Sequence, residues 1–477
     1  MKSLWTAALL FGLLLAGCAE DSDAPDDVQD GPALLPAQRF TPPEDPMAME
    51  PGHDHSDSSQ HKFLWNYDVS SHDPILGNAA SMSGVHALDL QADHLFGAIY
   101  GSHTVSVDGG VVIWDVSDPA RPVQTGRWIV PGSVGGDRSI EATPDGDFVV
   151  LVTEPVTCFT QVGANPFTAY LLDTRDKSQP IVADVATIPG PTLGSPTVLN
   201  PAATGHHSVS VTNIDGEDYA FLFGKVYRID RTEQGGRLID LETSIPIGHD
   251  MYLRQTPWGD TWAIAAGGNL KIFNVTDPAN PVRIAEWSIP EESWHGAIDY
   301  YIHTADVGFF DDQDILVVTT EDWLDWTSYA FILDATSLRA HEGTEPYDLP
   351  WIGEWRNPGN HTAEGLSYSM HNPRFGDDGI FTISHYHGGL WQLDFRHPDL
   401  RAEPTEVAYA LYAENDGPVV MDPVQGADAC NLGYGVDAPS YMDVELGPDG
   451  ILYAADVYTG LYTFTPTVDH PVYGGVA

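Results

Sequence analysis

One internal repeat constrains this chain more than any other feature. "GGVVIWDVSDPARPVQTGRW" (109–128) aligns without gaps on "GNLKIFNVTDPANPVRIAEW" (268–287). Asp115 falls on Asn274, Asp118-Pro119 on Asp277-Pro278, Pro122 on Pro281 and Trp128 on Trp287. The pattern is that of a hairpin. The apolar run reads as a buried strand, and Asp-Pro opens a turn because the carboxylate caps nearby amides and the ring presets φ. The second proline starts the return strand, where its missing N–H is harmless. Weaker copies lie at 169–188, 225–245, 329–340, 389–411 and 460–466. The residues that close these runs, Asp115, Asp173, Asp230, Asn274, Asp334, Asp394 and Thr465, make seven anchors, most of them about 57–60 residues apart. Two further strand-like runs precede each anchor, as in "GVHALDL" then "LFGAIYG".

About four strands repeated seven times is the arithmetic of a β-propeller. A pair of β-sandwiches would not carry one repeat through the whole domain. The last copy lacks a fourth strand, and "HKFLWNYDV" (61–69) can supply it. The expected fold is therefore all-β: a seven-bladed β-propeller over residues 61–470, its ring closed by an N-terminal strand, with a C-terminal tail at 471–477. The motifs "VVIWDVSDPARP" and "LKIFNVTDPANP" resemble those of the LVIVD-repeat family of bacterial and archaeal propellers, over roughly 61–466. That resemblance implies the propeller fold and an extracytoplasmic location, and implies little about chemistry.

The N-terminus points the same way. "MKSLWTAALLFGLLLAGC" is one lysine, a short apolar run and small residues ending at Cys18, too short to span a bilayer and built like a cleaved signal. Leu15-Ala16-Gly17-Cys18 resembles a prokaryotic lipobox, which implies a signal peptide at 1–17 and a lipid on Cys18. Residues 18–60 are acidic and proline-containing, as expected of a disordered tether. A lipid anchor at Cys18 would then be the only membrane attachment, with the domain displayed at the cell surface or the periplasmic face. The net charge of −49 repels nucleic acid, which removes it as a partner. The other two cysteines, Cys158 and Cys430, can form a disulfide in an oxidising compartment; a thiolate ligand is the alternative.

The histidines carry the chemical signal. In a propeller, the start of each inner strand and the end of each second strand share one rim of the central channel. The inner-strand starts read as His86, Glu141, His206-His207, His249-Asp250, His303, His371 and Asp443. The second-strand ends read as His103, Glu154, Lys225, Glu321-Asp322, His385 with His387, and Asp456. Period-two alternation would point His385 and His387 the same way. The candidate metal ligands are His86, His207, His249, His303, His371, His385 and His387, supported by Glu141, Glu154 and Asp443. Neutral imidazole suits Cu, Zn, Fe or Ni, with carboxylates completing or orienting the site. The other reading is a wet, polar channel mouth that binds only water.

"GHDMYL" (248–253), "SMHNPRF" (369–375) and "HGGLWQLDF" (387–395) are similar to segments of selenium-binding protein and the methanethiol oxidases. That similarity implies a copper site and oxidation of a small sulfur compound. Acidic segments such as "TPDGDF" (143–148) and "FFDDQDI" (309–315) offer Ca²⁺ as an alternative ion, although Asp and Gly are also ordinary turn residues. The chain has no Gly-x-Ser-x-Gly, His-Glu-x-x-His or phosphate-loop motif. The leading expectation is a binding or scaffold propeller that presents its histidine-rich mouth to a protein, glycan or small molecule. The alternative is a transition-metal (copper) oxidoreductase.

Overall fold

The computed structural model describes residues 38–39, 62–75, 83–101, 109–130, 133–155, 167–188, 208–232, 235–246, 249–290, 301–321, 328–340, 345–357, 369–412, 440–457 and 459–473. These residues belong to the unit Leu34–Ala477. The signal segment, Cys18, Cys158, Cys430, His103, His206 and His207 lie outside the described residues, as does the Glu154 side chain.

Seven separate sheets form the seven blades of a β-propeller, each built on four antiparallel strands. Blade one is Ser83–Gln91, His94–Gly101, Gly109–Asp115 and Val123–Val130. Blades two to seven start at Ser133, Val209, Met251, Tyr301, Pro373 and Tyr441. The ring is closed as the repeat predicts, because Tyr67–Asp73 pairs with Gly460–Pro466 as the fourth strand of blade seven. The predicted closing segment divides at Asn66, whose φ of 61° breaks the strand. The part before it, Lys62–Trp65, pairs with Thr405–Tyr412 as an outer fifth strand of blade six. Gln38–Arg39, within the stretch expected to be a tether, runs parallel to Phe63-Leu64.

The anchors have a common job. Each ends a third strand or lies within two residues of its end. In five blades the side-chain oxygen accepts the amide two residues on: Asp115 from Ser117 (2.8 Å), Asp173 from Arg175 (3.2 Å), Asn274 from Thr276 (3.0 Å), Asp334 from Thr336 (2.9 Å) and Asp394 from Arg396 (2.9 Å). This local bond turns the chain out of the strand. One or two residues before each of these anchors, the third and fourth strands slip register by a bulge.

The apolar core lies between neighbouring sheets. Phe96, Val111 and Ile113 of blade one meet Ile140, Val149 and Leu151 of blade two. Equivalent clusters fill the other seams. Each fully buried Val, Leu or Ile contributes roughly 1.5–3 kcal/mol of transfer free energy.

Polar ties around the channel cross every seam. Asp443 of blade seven accepts the Leu88 amide of blade one (2.8 Å), Asp89 accepts Ala142 of blade two (2.7 Å), and Glu141 accepts Val211 of blade three (2.5 Å). Ser210 donates to the Met251 carbonyl of blade four (2.6 Å). Arg254 of blade four pairs with Asp306 of blade five, Asp306 also accepts the Phe375 amide of blade six (2.8 Å), and Arg374 of blade six pairs with Glu445 of blade seven.

Candidate functional site

Four of the predicted histidines reach the channel by one device, a bulge near the start of the inner strand. In blade one Val85 pairs with Ile99 and Ala87 with Ala98, which leaves His86 as the extra residue. In blade five Ile302 pairs with Thr320 and Thr304 with Thr319, which leaves His303. In blade four Ala266 accepts the His249 amide (2.5 Å) and donates to the Asp250 carbonyl (2.8 Å), so two residues face one. Ser384 does the same with His371 and Asn372 in blade six, at 2.9 and 3.4 Å. Met442 holds the same place in blade seven, between Tyr441 and Asp443. A bulge re-aims the side chain of its extra residue, and here it turns imidazoles inward.

The result is a buried row of rings. His303 stands with its centroid 4.5 Å from that of His249 and 4.3 Å from that of His371, and His86 approaches His371 edge-on at 5.7 Å. Carboxylates join them. The donor atoms of His303, Glu321 and His371 all lie within 4.8 Å of one another, and so do those of His249, Asp250 and His303. All five residues are at most 2% exposed. His303 Nε2 is 3.7 Å from Glu321 Oε2.

Tautomers follow from the partners. His371 Nδ1 bonds to the Met442 carbonyl, and a carbonyl only accepts, so Nδ1 carries the hydrogen and Nε2 the lone pair. A metal-binding histidine is commonly oriented by this backbone bond. Glu321 is held in turn by Tyr386, whose hydroxyl donates to Oε1.

Other predicted residues have different roles. The strand of blade six stops at Ser384, and His385–Gly388 form a tight turn in which the Gly388 amide donates to the His385 carbonyl (2.6 Å). Strand alternation therefore does not apply to His385 and His387. His385 Nδ1 faces Asn357 Nδ2 at 3.5 Å, and neither histidine belongs to a donor trio among the described residues. The residue between them, Tyr386, has φ of 39°, a strained value for a non-glycine residue, and supplies the phenol on Glu321.

Glu141 and Asp443 bind the amides of the next blade. Glu141 is level with Asp89, pairing with Val150 as Asp89 pairs with Phe96. Asp89, Asp306, Arg374 and Glu445 each sit three residues beyond a bulge residue and form a second, ionic layer. Burial, then repulsion from Glu141 and Glu445, pushes Asp89 up to about 8. The acidic segments offered for Ca²⁺ are turns clamped by arginine: Asp145 binds Arg231, Asp312 binds Arg401 and Asp314 binds Arg339.

Sequence reasoning put Glu321 and Asp250 on the rim without selecting them as ligands, and it missed Tyr386. The signal for the carboxylates was adjacency: Asp250 follows His249, and Glu321 closes the second strand opposite His303. Nothing in the sequence marked Tyr386.

No family model and no curated protein sequence matches the chain. The resemblance to the LVIVD-repeat family therefore rests on its motif residues. Among solved structures, the chain is similar to the WD40 β-propeller domain of Doa1, at 9% identity and a TM-score of 0.43, covering 84% of this chain and 97% of that one. It is also similar to a 6-phosphogluconolactonase-like protein of Bacteroides fragilis, at 11% identity and a TM-score of 0.40, covering 80% and 89%. Neither likeness speaks to ligand or activity.

Proposed function

We propose that this protein is a ligand-binding β-propeller whose working site is the channel side of blades four to six, and that it binds a transition-metal ion there through His303, His371 and Glu321. The observation that carries this reading is the buried donor trio, in which the His371 ring is oriented by its Nδ1 bond to the Met442 carbonyl. Imidazole with carboxylate suits Cu, Zn, Ni or Fe, and the strongly negative chain concentrates cations. The Leu-Ala-Gly-Cys ending supports a lipid on Cys18 and display outside the cytoplasmic membrane, where the mouth meets its protein, glycan or small-molecule partner.

A second reading, a metal-dependent oxidoreductase, is favoured by Tyr386. Its phenol donates a hydrogen bond to the carboxylate that would hold the ion. The metal would supply the redox or Lewis-acid chemistry. Tyr386 and Glu321 would hold and pass a proton beside it.

The test is a thermal melt of the full-length chain with Cu²⁺, Zn²⁺ or Ni²⁺ against EDTA. An ion that binds only the folded state adds about 2.7 kcal/mol at 100 times Kd. The reading predicts a rise in Tm that His371→Ala and Glu321→Gln reduce and His303→Ala, which removes the residue common to both donor trios, abolishes. Ions held loosely by the tether would not raise Tm. No rise with any of the three ions, nor with Fe²⁺ added anaerobically, overturns the reading.

A further inference from the structure

The donor atoms fall into two trios and not into one shell. His249, Asp250 and His303 form one trio, and His303, Glu321 and His371 form the other. Ligand atoms bound to one ion at about 2.0–2.2 Å can stand no more than roughly 4.4 Å apart. The described residues include no group in which all three imidazoles share one sphere of 4.8 Å. His303 is the member common to both, and its ring centroid stands at similar distances from its two neighbours, 4.5 and 4.3 Å. The two ring nitrogens of one imidazole point to opposite sides, so a histidine in the middle of a row can serve two ions. Nε2 of His303 lies 3.7 Å from Glu321, on the side of the trio with His371; a bridging arrangement places Nδ1 on the side of the trio with His249.

We infer that the channel holds two transition-metal ions side by side, one on His249 and Asp250, the other on His371 and Glu321, with His303 bridging them. The inference rests on the metal-binding reading above and extends it. Each position has one terminal imidazole, one carboxylate and one nitrogen of the shared His303 ring. Binding the second ion displaces the remaining ring proton of His303 to solvent, so His303 enters as imidazolate. Two carboxylates and one imidazolate then offset three of the four positive charges of two divalent ions. The rest of each shell is open to water or a small ligand, as in sites that do chemistry rather than hold structure. Both positions depend on the bulge in blade five, because without it the His303 ring would not stand between its neighbours.

The experiment loads the full-length chain with Cu²⁺, dialyses it, and counts retained copper per chain by elemental mass spectrometry. Low-temperature EPR is recorded on the same samples, with circular dichroism to verify folding. Two ions are expected in the wild type. Asp250→Asn and Glu321→Gln, each isosteric, are expected to keep one apiece, and His303→Ala to lose both. Because copper can also sit on His53 and His55, within the expected tether, the decisive quantities are the differences between variants. The bridge predicts EPR intensity below that of two isolated spins in the wild type, and full single-spin intensity in Asp250→Asn and Glu321→Gln.

One retained ion, lost in Glu321→Gln and unaffected by Asp250→Asn, would overturn the second position and leave the first intact. Two ions with the intensity of two isolated spins would overturn the bridge. If none of the three substitutions changes the count, both this inference and the metal-binding reading fail.

Discussion

Truncating Asp306 to alanine should destabilise the propeller and weaken its metal site without removing a ligand. Asp306 is fully buried. It accepts Arg254 Nε at 2.6 Å and the Phe375 amide at 2.8 Å, and it also pairs with Arg254 Nη2. One carboxylate therefore ties the inner strands of blades four, five and six, which carry His249, His303 and His371. Removing one partner of a buried pair costs about 3–5 kcal/mol, because the other charge is left without compensation. Arg254 keeps 28% of its side chain exposed, so water can offset part of this, which favours the lower end of that range. The orphaned Phe375 amide adds about 1–3 kcal/mol. A total of roughly 4 kcal/mol follows. With about 2.1 cal/mol/K per residue over roughly 400 residues, the melting temperature should fall by about 5 °C.

Urea denaturation and differential scanning fluorimetry read these quantities, and isothermal titration with Cu²⁺ reads the site. Adding Arg254→Met removes the stranded cation, so the double variant should recover to within about 2 kcal/mol of the wild type. The reasoning is refuted if Asp306→Ala lies within about 1 kcal/mol of the wild type, or if the double variant is no more stable than the single.

Three other outcomes follow from the buried titratable groups and one tight seam. Asp89 is raised to about 8, so the folded chain keeps a proton there that the unfolded chain releases above pH 4. Stability should decline as pH rises between about 4 and 8, and Asp89→Asn should flatten that decline in melts from pH 5 to 9. A steeper slope in the variant would contradict it. His470 donates through Nε2 to Gln392 (3.0 Å) and accepts the Val472 amide at Nδ1 (3.2 Å). Burial, then Arg396, lowers it to about 4. Its contribution is complete above pH 6.5 and is lost as pH falls toward 4, so His470→Gln should be less acid-sensitive than the wild type when unfolding is followed by tryptophan fluorescence. At Gly84 a Cβ would stand 1.9 Å from the Val457 backbone carbon of blade seven. Gly84→Val should therefore cost at least about 2 kcal/mol in urea unfolding, and a neutral result would mean that the first and last blades part easily.

The fold was legible because its code is local. Asp115, Asn274 and their equivalents act on the amide two residues away, so turn residues at fixed offsets announce each blade without knowledge of the others. The division of the closing segment was not legible. The run 61–69 reads as one continuous strand, and only the φ of Asn66 sends its halves to different blades.

The site was half legible, for a related reason. Inner-strand position places His86, His249, His303 and His371 on the rim. Their convergence depends on bulges, which are properties of pairing between strands and leave no mark on either strand alone. Glu141 and Asp443 share that rim in sequence, yet each accepts a backbone amide of the next blade. Arg254, Asp306, Arg374 and Glu445 come from four blades, and only ring closure brings them together.

The most direct test of the metal-binding account is anomalous diffraction at the copper edge from crystals of the Cu²⁺-loaded chain. The account predicts a peak about 2.0–2.2 Å from Nε2 of both His303 and His371, with a Glu321 oxygen completing the set. A map with no peak in the channel, or with copper only at sites remote from these three residues, would contradict it.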